Sequence, residues 1–199
     1  MIIMNSKPLY SLGEESSNKI LGFWIFLGAE IALFGTLFAV YFTLAKNTGS
    51  APTQKELFEM KGVMIETFAL LTSSFTIGLV VNTIKLHSKK AFISFLMITL
   101  ALGAVFLGVE ITEFFTYVHE GATIQSSGAL SALFVLLGTH GAHVSFGMLW
   151  GIAILIQVSR EGITETTANK TFIYSLYWHF LDVVWIFIFS FVYVKGLIG

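Results

Sequence analysis

Five apolar stretches, about 20–45, 62–84, 91–118, 129–158 and 172–194, decide what this chain of 199 residues can fold into. Each reaches the roughly 20 residues that a helix needs to cross a hydrocarbon core of about 30 Å. Backbone groups inside lipid must be satisfied within their own segment or in a closed barrel. The alternation expected of membrane strands is absent, so helices are the solution. The expected fold is all-α: a polytopic membrane bundle of five transmembrane helices, forming a single transmembrane domain over 1–199. Composition agrees, with 55% hydrophobic and only 12% charged residues, where a soluble domain carries about 25% charged. A net charge of −1 offers no basic patch for nucleic acid. With no cysteine there is no disulfide, thiolate metal site or iron–sulfur cluster. The first residues lack a basic region followed by an apolar core, so no cleavable signal peptide is expected.

The links are short. Residues 46–61 hold Gly49, Pro52 and a KELFEM segment that reads as a short amphipathic turn. A tight basic loop is expected at 85–90, a Gly/Ser-rich loop at 119–128 and a polar loop at 159–171. Lys7, Lys19, Lys85, Lys89, Lys90, Arg160 and Lys170 fall on one side of a five-span chain, against Lys46, Lys55, Lys61 and Lys195 on the other. That asymmetry predicts the N-terminus inside and the C-terminus outside. Pro8 and Pro52 lie outside the spans, so proline kinks are not expected. Gly147 and Gly151 have the GxxxG spacing, which chance and a dedicated helix contact explain equally well.

Glu30, Glu66, Glu110, Glu113 and Asp182 fall inside spans that contain no deep lysine or arginine. They must be protonated, bonded to imidazoles or hydroxyls, or open to a wet cleft. Counting about 1.5 Å per residue, Glu30, His143, His179 and Asp182 reach a middle layer, while Glu66, Glu110 and Glu113 lie toward the outer side. Helix glue is one reading of these acids, and a proton path through Glu30 is the sharper one. His179 and Asp182, three apart, share a helix face flanked by Trp178 and Trp185. His140 and His143 have the same spacing and could ligate metal or haem only with help from another helix. The pairs EITE, HGAH and HFLD do not fit the Glu-x-x-His pattern of di-iron bundles, and no nucleophile elbow, P-loop or dinucleotide fingerprint is present. Two other readings stay open: a small proton-coupled transporter and a membrane redox enzyme using the histidine pairs. Against the transporter stand the odd span number and the lack of a repeat.

The motifs GFWIFLGAEIALFGTLFA, FLGVEITEF, GTHGAHVSFG and SLYWHFLDVVWIFIFSFVY, in this order, resemble subunit III of the haem-copper respiratory oxidases, in its short five-span bacterial form. The segment PTQKELFEMKGVMIETFALLTSSFT, with Glu66, resembles the quinol oxidases, above all those of the cytochrome bo-type ubiquinol class. Menaquinol oxidases and five-span cytochrome c oxidases share most of the other motifs. The resemblance implies a non-catalytic subunit of a proton-pumping terminal oxidase in a bacterial plasma (inner) membrane. No cofactor is implied in this chain, since haem and copper belong to partner subunits. The implied partners are subunits I and II, a small subunit IV, and phospholipid held in a cleft, with support for proton uptake and complex stability. Glu30 matches the family's buried carboxyl. His140, His143, His179 and Asp182 match its polar face. Trp24, Trp178 and Trp185 match its aromatic positions, which suit lipid headgroups.

Overall fold

The computed structural model describes residues 14–48 and 57–198. The expectations placed on Lys7, Pro8, Gly49, Pro52, Lys55 and the start of KELFEM lie outside these residues. Five long helices follow one another: α1 (Glu14–Leu44), α2 (Met60–Lys85), α3 (Lys89–His119), α4 (Gly128–Glu161) and α5 (Glu165–Ile188). A six-residue π-helical turn, Phe189–Val194, continues α5 into a final short helix, α6 (Lys195–Ile198). Among the described residues, five segments are long and apolar enough to cross a membrane: Ile20–Leu44, Met60–Lys85, Lys89–His119, Gly128–Glu161 and Glu165–Val194. The chain is a multi-pass membrane protein.

Two links are shorter than the sequence suggests, because polar helix ends project past the apolar spans and look like loop. Only residues 86–88 separate α2 from α3. His87 closes that turn at a φ of 51°, with Ser88 N–H reaching back to the Thr83 carbonyl at 3.2 Å. This is the left-handed helix stop usually given to glycine. Gly121, at a φ of 82°, ends α3 in the same way, with Ala122 N–H on the Tyr117 carbonyl at 2.9 Å. Between α4 and α5 only residues 162–164 remain. Gly162 stops α4 at a φ of 78°, and Thr164 with Thr167 forms a reciprocal cap on α5. Ser127 caps α4 through the Leu130 N–H.

Helices α2, α3, α4 and α5 close a ring in which each packs on its chain neighbour and α5 returns to α2. Helix α1 lies outside, against α4 and α5. The ring is centred on α5. Trp178 reaches all three of its neighbours. Its indole N–H donates to Ser73 Oγ of α2 at 2.9 Å, and its ring fills the space left by Gly103 of α3 and Gly147 of α4. Two turns on, Trp185 donates to Thr67 Oγ1 of α2 at 3.1 Å. It meets Phe106 of α3 edge-on at 4.7 Å and stacks on His140 of α4 at 5.5 Å.

Gly147 and Gly151 therefore form a dedicated contact. A Cβ at 151 would sit 2.5 Å from the Tyr174 hydroxyl and 2.8 Å from Leu100. At Gly138, on the same helix, a Cβ would meet nothing within 4 Å. Gly151→Ala is expected to destabilise the folded chain by about 1–3 kcal/mol through overpacking. Gly138→Ala is expected to be neutral, or stabilising by about 0.5–1 kcal/mol through helix propensity. Thermal unfolding of the two variants in detergent checks the contrast.

Candidate functional site

The polar side chains inside the spans gather at three helix contacts. The first joins α1 to α4. His143 Nδ1 faces the Thr139 carbonyl at 2.7 Å. A carbonyl can only accept, so Nδ1 carries hydrogen, and Nε2 is the nitrogen turned toward Glu30. That nitrogen lies 3.0 Å from Glu30 Oε2, with both side chains mostly buried. The two side chains stand at ion-pair distance across a contact between two helices, and Glu30 Oε2 makes no hydrogen bond. Phe34 packs edge-on to His143 at 5.3 Å, and Tyr177 O–H donates to the His143 carbonyl at 3.0 Å.

The second contact joins α5 to α2. Ser74 Oγ is 2.6 Å from His179 Nδ1, and the same hydroxyl bonds the Asp182 carboxyl. A hydroxyl has one hydrogen to give. Donated to Asp182, it leaves the oxygen to accept from His179. Asp182 is 8% exposed, and its Oδ1 has no hydrogen-bond partner.

The third contact gathers carboxyls from α2 and α3. Glu66 is fully buried and Glu110 nearly so, and both lie within the electrostatic reach of Glu113. Glu113 Oε2 accepts from Tyr117 at 3.1 Å and from Tyr193, on the π-helical turn, at 3.2 Å. Glu113 Oε1 rests where a side chain at Gly62 would stand, and the Glu110 carboxyl does the same at Gly141. Both oxygens of Glu66, Glu110 Oε1 and Glu113 Oε1 make no hydrogen bond.

The four residues expected to share a middle layer fall at two separate sites, Glu30–His143 and Ser74–His179–Asp182, on different helix contacts. His140 and His143 diverge although both lie against Phe34. His140 turns inward, fully buried, with neither ring nitrogen hydrogen-bonded. Trp178 and Trp185 are 1% and 0% exposed. Protein encloses them, which corrects the expectation that they touch lipid headgroups. Trp24, 56% exposed on α1, is the one of the three at the surface.

Sequence reasoning missed Thr67, Ser73, Ser74, Tyr117 and Tyr193 as partners. A signal existed for the hydroxyls. Thr67 pairs with Trp185, Ser73 with Trp178 and Ser74 with His179. From Thr67 to Ser73 the partner on α5 moves back from Trp185 to Trp178, the register of two antiparallel helices, and Ser74 meets the next residue, His179. Among the described residues, no group of three or more His, Asp or Glu is arranged to hold a metal ion.

A five-helix membrane bundle joined by buried carboxyl, imidazole and hydroxyl contacts is the class that fold and site define. The family model described as cytochrome c oxidase subunit III matches residues 16–197, and the chain belongs to this family. It is 54% identical over 195 residues to "Quinol oxidase subunit 3" of Bacillus spizizenii, covering 98% of this chain and 96% of that one. It is 53% identical to the protein of the same name in Bacillus subtilis, with the same coverage. It is 46% identical over 185 residues to "Cytochrome c oxidase subunit 3" of Bacillus sp. (strain PS3), covering 93% of this chain and 89% of that one.

Ser74→Ala leaves His179 and Asp182 without their shared hydroxyl. A cost of about 1–3 kcal/mol is expected from the unpaired buried groups. Asp182→Leu is expected to loosen α5 and reduce recovery of the folded protein. Melting temperature and yield after detergent extraction measure both effects, and unchanged values would show that this contact does not hold the helices.

Proposed function

We propose that this chain is the third subunit of a respiratory quinol oxidase, an accessory subunit without a redox centre of its own. Its relatives support the donor class. Two proteins named as quinol oxidase subunits match over 98% of the chain at 54% and 53% identity, above the 46% of the cytochrome c oxidase subunit. That difference carries the reading. In it the complex sits in a bacterial plasma membrane with the N-terminus inside, and haem and copper reside in subunits I and II. A small subunit IV completes it. This chain packs on subunit I, holds phospholipid, and supports proton uptake and the durability of the complex.

The geometry gives this role a physical form. Ionisable groups within lipid are costly and are kept where they serve a function. Here they stand at helix contacts, with Glu30 and His143 paired at 3.0 Å. A scaffold with protonatable joints suits a subunit that steadies a catalytic neighbour. Helix α1 has an outer face with Leu21, Trp24, Ile25 and Ile31 all more than half exposed. That face is the proposed seat for subunit I.

The test is capture of the tagged chain from its native membrane in mild detergent. The expected result is co-elution with haem-bearing subunits and oxidation of quinol, but not of reduced cytochrome c, by the captured complex. Elution without haem would end the oxidase reading, and turnover of cytochrome c would move the chain to the other branch of the family. Substrate flux by the chain alone in liposomes would favour the transporter.

A further inference from the structure

The π-helical turn at Phe189–Val194 is pinned on two sides. Tyr193, buried, sends its hydroxyl to Glu113 Oε2 of α3 at 3.2 Å, and its ring lies 4.6 Å from that of Phe58. On the other side Phe191 meets Phe42 of α1 edge-on at 6.1 Å, and Lys195 Nζ stands 5.2 Å from the centre of the same ring. A π turn closes i→i+5 bonds and so holds one residue more than an α turn. Relaxed to α geometry, the chain beyond it would turn by one residue, about 100° around the helix axis. Tyr193 and Lys195 would then swing away from Glu113 and Phe42.

What holds the turn in this shape is the carboxyl it reaches. Tyr117 and Tyr193 both donate to Glu113 Oε2. Two donors on one oxygen suit a carboxylate, and hydrogen bonds to an ionised acceptor are roughly twice as strong as those to a neutral one. Glu66 is fully buried with no hydrogen bond at either oxygen, and Glu110 Oε1 has none. A charge on either lacks the donors that Glu113 has, so the negative charge of this cluster belongs on Glu113. The titratable groups facing Glu113 are Glu59 and Glu66 of α2, Glu110 and Tyr117 of α3, and Tyr193 of the turn. All are acids or phenols, and none brings a positive charge that would keep the carboxyl ionised. His140 of α4 has its electrostatic neighbour in His143 instead. Glu113 lies six residues before the end of α3, about 9 Å along the helix. Its Oε1 rests against Gly62, a wall of the groove that also holds the exposed Glu59. A proton from the nearby aqueous face has a short path to it.

We propose that Glu113 and the π turn form a proton-operated latch at this face of the membrane. Ionised, Glu113 holds Tyr193 and keeps the turn in π geometry, with Phe191 and Lys195 seated on Phe42 of α1. A proton taken up by Glu113 weakens that hold, and the turn and the end of α1 loosen together. The latch itself needs no redox partner. Its effect on a neighbour rests on the proposed function, in which α1 is the helix that seats subunit I. Acidity at one membrane face then alters the grip of this chain on the oxidase. Haem content of the captured sample reports separately on the oxidase reading.

The experiment is amide hydrogen exchange on the complex captured through this chain, in lipid nanodiscs, at residues 189–198 and 38–44. Rates are corrected for the intrinsic pH dependence of exchange and followed from about pH 9 to about pH 5, a range in which buried carboxyls titrate. At the alkaline end Glu113→Gln and Tyr193→Phe are each expected to speed exchange at both segments about tenfold, the loss of one charge-assisted hydrogen bond. Acidification should bring the unaltered chain up to the Glu113→Gln rate, while both variants stay flat. Glu59→Gln should shift the pH response without removing it. An unaltered chain whose corrected rates ignore pH, a response that persists in Glu113→Gln or Tyr193→Phe, or loosening confined to 189–198 would overturn the proposal. So would loss of the response in Glu59→Gln, which would move the switch to that residue. If Glu113→Gln fails to fold, the titration of the unaltered chain against Tyr193→Phe decides the matter.

Discussion

Two indole N–H groups on α5, bonded to hydroxyls on α2, are the contact on which the arrangement depends. Lipid tails are as apolar as leucine, so burying oil against oil gives membrane helices little reason to associate. Close packing and interhelical hydrogen bonds must supply it. Trp178 and Trp185 supply both. Each offers its polar atom to α2 and its ring to α3 and α4. They stand seven residues apart, two helical turns, and so they fix the register of α5 at two levels of the ring. The glycines of α3 and α4 follow from this, because Gly103 and Gly147 stand where the Trp178 ring passes.

The same constraint places the ionisable groups. Each stands at a contact between helices, and each contact joins a different pair. Glu30–His143 docks α1 onto α4. Ser74–His179–Asp182 repeats the α2–α5 junction beside the tryptophans. Glu113 ties α3 to the π-helical turn through Tyr193. The π turn widens the helix where its side chain must reach Glu113, a recurrent place for such turns. A chain built this way is held together by polar contacts spread over several helix pairs.

The architecture was legible because lipid allows so few solutions. Five apolar runs gave five helices, and the side chains that cannot rest in lipid could be named from the sequence alone. The ends were less legible. Residues 159–171 look like loop, yet helix runs through all but three of them, since charged residues suit a helix that has left the membrane. The histidine pair at 140 and 143 illustrates another limit. Three residues leave two side chains about 60° apart on a helix, and that angle is enough to send one ring into the core and the other to α1. Matching the hydroxyls of α2 to the tryptophans of α5 needed the antiparallel register, which no single segment contains. The turn at 189–194 left no mark of proline or glycine to reveal it.

The central claim is that polar side chains bind these helices to one another. A double-mutant cycle on Glu30 and His143, using Glu30→Gln, His143→Leu and the double variant, tests it most directly. Unfolding free energies in detergent should reveal a coupling of about 0.6 kcal/mol and at most about 1.7 kcal/mol, the average and maximum found for polar pairs between membrane helices. Strictly additive effects of the two substitutions would contradict the account.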